Sequence, residues 1–376
     1  MICKRISVEG FRNIENASVD FIDGVNVLVG NNAQGKTNLL EAIYFITLGK
    51  SFRSATEAEM INFSSDLAAI SLDFSDSLRD QNISVRIFRD HKKRFEQNGV
   101  KIFKMSDIVG EMRAVLFCPE HLSIIKEGPS MRRNFLDVAI SQLRPTYLKS
   151  LQKYNKYLKQ RNKLLKDAEN DRKTFNDTIE FWSAGLAAEG AHLAKMRKQY
   201  TEICDGYVKK YFAEMTGGGE IPEMKYAGSA KQDLSVYDDE RATEAKFFEL
   251  LSSNLEREIA VGSTLWGAHK DDIDISINGR EARVYCSQGQ QRSLALAMKL
   301  AEGEICQSDG GELPVFLFDD VFSELDPTRR AYLLNKIRGK QVIMTGCELG
   351  ILTGKEISEN VNVNVIFVEN GNYFKG

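Results

Sequence analysis

The sequence lacks the features of a cysteine-based metal site, a membrane span or an exported protein. Its six cysteines are Cys3, Cys118, Cys204, Cys286, Cys306 and Cys347. They include no C-x-x-C pair, so we expect reduced thiols. No run reaches the roughly 18 apolar residues of a membrane span, and the opening MICKRISVEGFRNI has no apolar signal-peptide core. These absences predict a cytoplasmic protein with no membrane partner.

An overall excess of positive charge is also absent. The net charge is −3 over 376 residues, so any nucleic-acid surface must be local. A content of 43% hydrophobic and 27% charged residues is that of an ordinary globular protein. The length suffices for one large or two moderate domains.

The residue pattern predicts strands in the N-terminal third and helices in the middle. KRISVEGF and ASVDF alternate apolar and polar residues, and the apolar VNVLVG precedes a helix predicted from about Asn38 to Gly49. From about Arg132 to Tyr211 the pattern is helical and highly charged, with an interruption near Asn170. Another helix is predicted from Ala242 to about Ile259.

The C-terminal part returns to an α/β pattern. VFLFDD and QVIMTG predict strands with a helix between them, and IDISINGREARVY predicts a hairpin. Asn-Gly pairs predict tight turns at Asn98, Asn278 and Asn370. The chain therefore reads as a helical insertion flanked by two α/β halves, which we expect to form one sheet.

A phosphate-binding loop is the strongest motif. G-x-x-x-x-G-K-T lies between an apolar strand and a helix, as phosphate binding requires. Its residues are Gly30, Asn31, Asn32, Ala33, Gln34, Gly35, Lys36 and Thr37. The glycines let backbone N–H groups face phosphates, Lys36 can reach the β- and γ-phosphates, and the Thr37 hydroxyl can bind Mg²⁺. These residues predict an ATP site.

Two aspartates follow the apolar strand Val315–Phe318. They stand at its carboxyl end, where α/β sheets bind ligands. Asp319 is the expected Mg²⁺-side carboxylate, and Asp320 can orient and deprotonate the attacking water. Asp320 has a second interpretation, as a cap on the following turn. Because aspartate is one methylene shorter than glutamate, we hypothesise slow ATP hydrolysis.

The stretch CSQGQQRSLALAMKLAE predicts a helix with a second anion site at its N-terminus. Ser287 stands at the N-cap position, Gly289 allows close approach, and the helix dipole favours negative charge. Within one chain this would only duplicate the phosphate loop. In a two-fold dimer, each Ser287–Gln291 segment can instead face the γ-phosphate held by the other chain's Lys36.

These motifs together resemble the RecF family of SMC-like, ABC-type ATPases. The resemblance rests on GNNAQGKTNLLEAIYFITLGKSFR, FCPEHLSIIKEGPSMRRNFLD, GAHKDDIDISINGR, CSQGQQRSLALAMKLAE and FLFDDVFSELDPTRR, in that order. It covers nearly the whole chain and is more specific than the phosphate loop alone. It implies an α/β fold, an ABC-type P-loop ATPase head: lobe I with a mixed sheet at 1–115 and 303–376, and an inserted, mainly helical lobe II at 116–302 carrying the signature motif.

The resemblance also implies roles for particular residues. Gly30–Thr37 would be the Walker A loop, Asp319 the Walker B carboxylate and Asp320 the catalytic acid. The signature would include Ser287, Gln288, Gly289 and Gln290. Asp326 ends the D-loop, and Arg12 resembles an arginine that reaches phosphates, with a surface role as the alternative. No glutamine stands at the Q-loop position, and Gly346-Cys347-Glu348 replaces the switch histidine or threonine run of many relatives.

The function implied by the resemblance is ATP-dependent DNA binding in recombinational repair and replication restart. The family is expected to dimerise with ATP and Mg²⁺ on double-stranded DNA near single-strand gaps and junctions. Hydrolysis would be weak and would reset the dimer, and RecO and RecR would be partners in loading RecA. A nucleotide-dependent scaffold without gap specificity remains the alternative.

Other ATPase classes fit less well. In a transporter subunit the signature follows the phosphate loop by about one hundred residues, whereas Thr37 and Ser287 are 250 apart (287 − 37). A chromosome or break-repair ATPase would need hundreds of heptad residues and a hinge or zinc hook. Neither feature is present in the sequence.

A basic segment with interleaved tyrosines is a candidate DNA surface. Its residues are Arg144, Lys149, Lys153, Lys156, Lys159, Arg161, Lys163, Lys166, Arg172 and Lys173, with Tyr147, Tyr154 and Tyr157 among them. The alternative is a solvated helix face with inward-packed tyrosines. Lys50, Arg53, Arg132 and Arg133 are either further DNA contacts or structural ion pairs. His269 is expected to be a hydrogen-bonded structural or phosphate-side residue.

Overall fold

The computed structural model describes residues 1–53, 56–230, 234–347 and 362–376. The described strands are β1 (Ile2–Phe11), β2 (Ile14–Asp20), β3 (Val25–Val29), β4 (Leu67–Ser75), β5 (Asp80–Phe88), β6 (Arg94–Gln97), β7 (Val100–Ile102), β8 (Ala114–Phe117), β9 (Pro222–Ala227), β10 (Asp272–Ile277), β11 (Arg280–Glu281), β12 (Val315–Phe318), β13 (Val342–Gly346), β14 (Val363–Glu369) and β15 (Asn372–Lys375). The described α-helices are α1 (Lys36–Leu48), α2 (Ser123–Lys126), α3 (Pro129–Leu143), α4 (Pro145–Asp167), α5 (Arg172–Thr216), α6 (Glu240–Ser253), α7 (Leu255–Val261), α8 (Ala282–Tyr285), α9 (Gln288–Gly310), α10 (Val321–Glu324) and α11 (Pro327–Lys336).

The chain divides into two compact units. The first contains Met1–Leu122, Glu214–Gly217 and Ala295–Gly376, and the second contains Ser123–Ala213 and Gly218–Leu294. The boundaries predicted after residues 115 and 302 fall inside β8 and α9. Among the described helices, none has both the length and the apolar character needed to cross a bilayer.

The first unit contains a mixed sheet whose strands come from the N-terminal and the C-terminal parts of the chain. Its order is β15-β14-β3-β13-β12-β8, and every neighbour pair from β14 to β8 is parallel. Strands β3, β8, β12 and β13 are buried throughout, as expected for strands covered on both faces. The parallel alignment brings the carboxyl ends of β3, β12 and β13 to one edge of the sheet.

A second sheet corrects the expectation of one sheet formed by the two α/β halves. Strands β2-β1-β4-β5-β6-β7 form an antiparallel sheet made entirely from the N-terminal third. Strand β4 alternates between half-buried and buried residues over its whole length. Only one face is therefore fully covered, and the period-two pattern places its apolar residues on that face.

The three Asn-Gly turns are confirmed. Asn98, Asn278 and Asn370 have φ near +50°, and the glycine after each also has positive φ. Both central residues of a type I′ hairpin turn require this backbone, which asparagine and glycine tolerate best. The segment predicted to continue the strand after the second turn instead forms α8, Ala282–Tyr285.

The helical insertion forms most of the second unit. Helices α4 and α5 are separated near Asn170, as predicted, and the helix predicted over Ala242–Ile259 is interrupted at Asn254 into α6 and α7. Tyr147 and Tyr154 of α4 are buried, so the tyrosines pack inward. Arg161, counted with the basic segment, is also fully buried and pairs with Glu258 at 2.6 Å.

His269 is a structural residue of the second unit. Its Nε2 lies 3.1 Å from the Thr264 carbonyl oxygen, which can only accept, so Nε2 carries the proton. Its Nδ1 therefore accepts from the Tyr154 hydroxyl at 2.7 Å. Burial, reinforced by the nearby charges of Lys270 and Arg133, lowers the pKa of His269 to about 4.

This buried histidine predicts a loss of stability on acidification. The unfolded imidazole titrates near pH 6.5, so between about pH 6.5 and 4 the unfolded chain binds a proton that the folded chain does not. The free energy of unfolding should fall in that interval by up to about 3 kcal/mol from this group. Chemical denaturation at successive pH values measures it.

The matched variants are His269→Gln and Tyr154→Phe. The first removes the titrating group, so its stability should depend less on pH between 4 and 6.5. The second removes one hydrogen bond to Nδ1 and keeps the buried imidazole, so it should be less stable but retain most of the pH dependence. Equal pH dependence in wild type and His269→Gln would contradict the assignment.

Candidate functional site

The phosphate loop leaves β3 and leads directly into α1. Ala33 and Gly35 have φ of +64° and +116°, a backbone that turns successive N–H groups to one side. Gly35 is the N-cap of α1, and Gly49 is its C-cap in the left-handed conformation, as predicted for the end of this helix. A side chain at Gly30 would meet the carbonyl oxygen of Val368. The strand–loop–helix unit thus has the geometry of an anion cradle at a helix N-terminus.

Lys36 lies within this loop. Its Nζ donates to the carbonyl oxygens of Gly30 at 2.5 Å and Asn31 at 2.8 Å, and the side chain is buried. The ammonium is thus held over the loop by acceptors that can be exchanged for phosphate oxygens. Asn31, Asn32 and Ala33 are exposed at the rim.

Thr37 and Asp319 meet at the sheet edge although they are far apart in sequence. The Thr37 hydroxyl donates to Asp319 Oδ1 at 2.7 Å, and Thr345, at the end of β13, donates to the same oxygen at 3.0 Å. Burial raises the pKa of the Asp319 carboxyl above its ordinary value, and the two hydroxyl bonds oppose that rise. These three residues come from three neighbouring segments of the parallel sheet.

Asp320 follows in a strained conformation. Its φ is +51°, which a non-glycine residue rarely adopts, and its backbone N–H donates to Thr345 Oγ1 at 2.9 Å. The carboxylate is exposed and makes no capping bond to α10. Asp320 thus occupies the N-cap position of α10 without a side-chain capping bond, and it is among the residues that line the neighbouring cleft.

A cleft of about 440 Å³ joins these parts. Its lining residues are Asn13, Asn32, Ala33, Gln34, Gly35, Lys36, Thr37, Asn38, Arg53, Asp320, Thr345 and Cys347. This volume lies within the range of small-molecule sites. Most of the predicted Walker A residues and the predicted catalytic acid thus share one cavity.

The C-terminal hairpin supports the loop from behind. The Asn370 N–H donates to the Gln34 side chain at 2.5 Å, and the Gly371 N–H donates to the Gln34 carbonyl at 2.8 Å. The Tyr373 hydroxyl donates to the Gly35 carbonyl at 3.0 Å. Nothing in the phosphate-loop motif predicted these contacts, because they come from the last residues of the chain.

Arg12 is tied to a buried carboxylate. Its Nη2 lies 2.7 Å from Glu41 Oε1, and its Nη1 donates to the Glu59 carbonyl. Arg12 is not among the cleft-lining residues, whereas Arg53 is, and Arg53 also donates to Asn38 Oδ1 at 2.9 Å. A phosphate contact by Arg12 remains a prediction, and Arg53 is the arginine that the cleft itself contains.

The signature segment forms a reciprocal cap at the start of α9. Ser287 Oγ accepts from the Gln290 N–H at 3.3 Å, and the Gln290 side-chain oxygen accepts from the Ser287 N–H at 2.7 Å. This is a capping box, so the N-cap predicted for Ser287 is confirmed. Gln288 is exposed and Gly289 half-buried. The signature residues belong to the second compact unit and are not among those lining the cleft.

Asp326 caps α11. Its carboxylate accepts from the Arg329 N–H at 3.0 Å and pairs with the Arg329 guanidinium. The Arg329 backbone bond is the main reason that the pKa of Asp326 lies below its ordinary value. Contact with a partner's nucleotide stays a prediction for this residue.

The site has a donor set suited to Mg²⁺. Thr37 and Asp319 present a hydroxyl and a carboxylate oxygen at one point, and Mg²⁺ prefers oxygen ligands and completes its shell with water and phosphate. Among the described residues there is no cluster of three or more His, Cys, Asp or Glu that could hold a metal alone. Magnesium at this site would therefore depend on nucleotide phosphates.

The sequence patterns missed several cleft residues. Asn13 comes after β1, and Arg53 comes after α1. Thr345 lies near the end of β13, and Cys347 directly follows that strand. Cys347 belongs to the segment that replaces the switch histidine or threonine run of many relatives, and its Sγ donates to Asn32 Oδ1 at 3.1 Å. Glu348, quoted with it in the sequence, lies outside the described residues.

Comparisons with known proteins decide the family. The RecF/RecN/SMC N-terminal domain family matches residues 2–371. The DNA replication and repair protein RecF of Clostridium novyi (strain NT) is 38% identical over 371 residues, covering 99% of each chain. The chain belongs to the RecF family.

Solved structures agree with this membership. The recombination mediator protein RecF with ATPrS, of the RecFOR pathway, superposes with a TM-score of 0.91 at 35% identity, covering 100% of this chain and 98% of that chain. An Smc head domain from Pyrococcus furiosus has a TM-score of 0.55 at 15% identity and covers 100% of this chain and 95% of that chain, which indicates a shared fold alone. The predicted α/β, ABC-type ATPase-head fold of the RecF family is thus confirmed.

The hydrogen bonds from the C-terminal hairpin to the phosphate loop predict an effect on nucleotide affinity. Tyr373→Phe removes one of two donors to the Gly35 carbonyl, which also accepts from the Leu39 N–H, at a cost of about 1 kcal/mol in the ordered loop. We expect ATP affinity to fall about fivefold, with little change in global stability. Titration with a fluorescent ATP analogue measures the affinity.

Tyr332→Phe is the matched control. It removes a tyrosine hydroxyl of the same unit that donates to Glu214 at 2.6 Å, away from the phosphate loop. Its ATP affinity should equal that of wild type. If Tyr373→Phe also bound ATP like wild type, the hairpin would not position the loop.

Proposed function

We propose that the protein is an ATP-dependent DNA-binding switch of recombinational DNA repair. ATP and Mg²⁺ bind in the cleft, and two chains dimerise on double-stranded DNA near single-strand gaps. Slow hydrolysis then releases the dimer. With RecO and RecR, the protein helps to load RecA.

The contact between Thr37 and Asp319 carries this proposal. It joins the phosphate loop to the acidic strand end at 2.7 Å, beside a cleft lined by Lys36, Thr37 and Asp320. Walker-type ATPases need this pairing, because the hydroxyl and the carboxylate organise Mg²⁺ beside the phosphates. RecF structures with ATP and ATPrS over the full chain length support ATP as the nucleotide.

The loop residues bind and orient the nucleotide. The Lys36 ammonium would exchange the Gly30 and Asn31 carbonyls for the β- and γ-phosphates. Loop amides and the dipole of α1 favour the same negative charge. Thr37 and Asp319 would hold Mg²⁺, which when bound neutralises phosphate charge and polarises the γ-phosphate.

Asp320 is the proposed catalytic acid. Its strained backbone, held by the bond from its N–H to Thr345, keeps an exposed carboxylate at the cleft. From there it can orient and deprotonate a water molecule. Because its reach is one methylene shorter than that of glutamate, we expect slow turnover that serves as a reset of the binding switch.

Dimerisation would complete two composite sites. The α9 N-terminus offers its dipole, the Ser287 hydroxyl and first-turn amides to an anion. In a head-to-tail pair, the signature residues Ser287–Gln290 of one chain would meet the γ-phosphate held by the other, with Asp326 of the D-loop nearby. ADP lacks that phosphate and would not join the chains.

The exposed face of α4 is the proposed DNA surface. Lys149, Lys156, Lys159, Lys163 and Lys166 are exposed and form no ion pair within the described residues. Because Tyr147, Tyr154 and Arg161 face inward, phosphate attraction rather than aromatic stacking would dominate. Arg132 is committed to Asp272 at 2.6 Å and contributes to the fold instead.

Two variants test the composite site from its two sides. Lys36→Met should weaken ATP binding by at least about tenfold, since it removes the phosphate-binding charge, and should therefore prevent dimerisation. Ser287→Arg should leave ATP binding by the monomer intact and still block dimerisation, because a bulky cation obstructs the γ-phosphate's approach. Gel filtration with ATP, ADP or no nucleotide, with and without duplex DNA, separates these outcomes.

Ser253→Arg is the control for added bulk and charge. Ser253 is exposed at the end of α6 in the same compact unit as the signature. This variant should dimerise with ATP like wild type. Normal ATP-dependent dimerisation of Ser287→Arg would rule out the composite site, and ATP-dependent dimers that bind gapped and ungapped DNA equally would favour the scaffold.

The basic face predicts a salt-dependent loss of DNA binding. Replacing Lys156, Lys159 and Lys163 together by glutamine should weaken duplex binding and reduce the slope of log affinity against log salt by up to about 3. Fluorescence anisotropy at several salt concentrations, with ATP present, gives both quantities.

The control triple is Lys209→Gln, Lys225→Gln and Lys246→Gln. Each of these lysines already pairs with an acidic neighbour, at 2.6, 2.7 and 2.9 Å respectively. It changes the net charge equally but removes lysines whose charge is compensated. Identical losses in both triples would show a general charge effect instead of a DNA surface on α4.

A further inference from the structure

A carboxylate of the same chain accepts a hydrogen bond from the signature segment. Gln290 Nε2 donates to Glu220 Oε1 at 2.5 Å. Glu220 precedes β9 and lies 70 residues before Gln290 in the sequence. The proposed function gives no role to an acidic side chain at the surface where a partner's phosphate should bind.

The contact places an anion where the helix attracts one. The N–H groups of Gln288 and Gly289 have no hydrogen-bond partner among the described residues, and the Gln290 N–H is taken by Ser287 Oγ. Such first-turn amides and the helix dipole favour negative charge. Glu220 supplies one formal negative charge beside them.

Both polar atoms of the Gln290 side chain are hydrogen-bonded in this arrangement. Its oxygen accepts from the Ser287 N–H at 2.7 Å, while its nitrogen donates to Glu220. A phosphate that approached Gln290 Nε2 would meet the carboxylate already bound there. Although this nitrogen carries two N–H groups, two anions bound to it would lie close together and repel each other, so the carboxylate opposes phosphate binding.

The backbone that precedes Glu220 allows its side chain to move away from Gln290. It follows Gly217, Gly218 and Gly219, of which the first two have φ near +80° and all three have open space around them. Within the described residues, Glu220 makes no hydrogen bond or ion pair other than the one to Gln290. A side chain with one polar contact on a glycine-rich segment can be displaced at small cost.

We propose that Glu220 is an internal competitor of the partner's γ-phosphate at the signature. It holds Gln290 in the monomer and must be displaced when two chains close on ATP. It thereby raises the ATP concentration needed for dimerisation and keeps nucleotide-poor chains apart. This inference rests on the proposed composite site.

The size of the effect follows from charge repulsion. Two unit charges about 4 Å apart repel by about 1 kcal/mol in water and by more near a protein surface. Removing the carboxylate should therefore lower the ATP concentration for half-maximal dimerisation by about fivefold or more. ATP binding by the monomer should not change.

Glu220→Gln and Glu220→Ala test the proposal. The glutamine keeps a hydrogen-bond acceptor for Gln290 and removes the charge, whereas the alanine removes both. Both should dimerise at lower ATP than wild type, as measured by light scattering during an ATP titration. Glu223→Gln is the matched control, because Glu223 is on the following strand and pairs with Lys225 at 2.7 Å.

Alkylation of Cys286 tests independently whether the charge of Glu220 acts on the start of the signature segment. Burial raises the pKa of this half-buried thiol, and the charge of Glu220 raises it further. Without nucleotide, Cys286 should therefore react faster with iodoacetamide in Glu220→Gln than in wild type, as read by peptide mass spectrometry. The monomer must also bind ATP normally, which verifies that the variant is folded.

The outcomes separate the two proposals. If wild type does not dimerise with ATP, the proposed function fails. If wild type dimerises and both Glu220 variants need as much ATP as Glu223→Gln, Glu220 is not a competitor. If Glu220→Ala needs more ATP while Glu220→Gln resembles wild type, Glu220 positions Gln290 and competition is overturned.

Discussion

The hydrogen bond between the Thr37 hydroxyl and Asp319 depends on one constraint, the parallel order β3-β13-β12. A parallel sheet brings the carboxyl ends of neighbouring strands to one edge, and here it brings a loop from the start of the chain to an acidic segment near its end. The central strand β13 contributes Thr345, which bonds both Asp319 and the backbone of Asp320. Thr37, Asp319 and Asp320 of the candidate site are therefore all positioned by one sheet edge. A register error in any of these strands would separate them.

The neighbouring parts keep that edge in position. Glu41 of α1 is fully buried and binds Arg12, so the base of the phosphate loop is tied to the end of β1. The C-terminal hairpin bonds Gln34 and Gly35 from the other side. These contacts are bonds to charged groups or to loop backbone, whose loss in a buried setting costs more than the bond itself contributes. The loop can therefore hold the strained backbone of Ala33 in a conformation suited to phosphate.

In the proposed function, regulation would follow from dividing the site between two chains. A phosphate cradle alone binds nucleotide, but a helix N-terminus on another molecule converts binding into assembly. In the single chain, Ser287 and Gln290 of the signature segment are already hydrogen-bonded, through their capping box and the contact of Gln290 with Glu220. In the proposed dimer, closure would exchange the contact between Gln290 and Glu220 for a contact with the partner's phosphate, and such an exchange is easier to reverse than a gain of entirely new contacts.

The sequence by itself determined the elements whose chemistry is local. The phosphate loop, the two-aspartate strand end, the Ser287 cap and the Asn-Gly turns depend on residues within a few positions of one another, so spacing and conformational preference were enough. Periodicity also located the long helices, but it could not distinguish a solvated lysine from the buried Arg161, whose partner Glu258 is distant in sequence. Only the tertiary structure decided that the N-terminal strands form their own sheet and that Arg53 and Thr345 line the cleft. It also decided that Tyr373 contacts the phosphate loop and that Glu220 contacts the start of α9. Those choices depend on which distant segments pack together, and packing is settled by the fold as a whole.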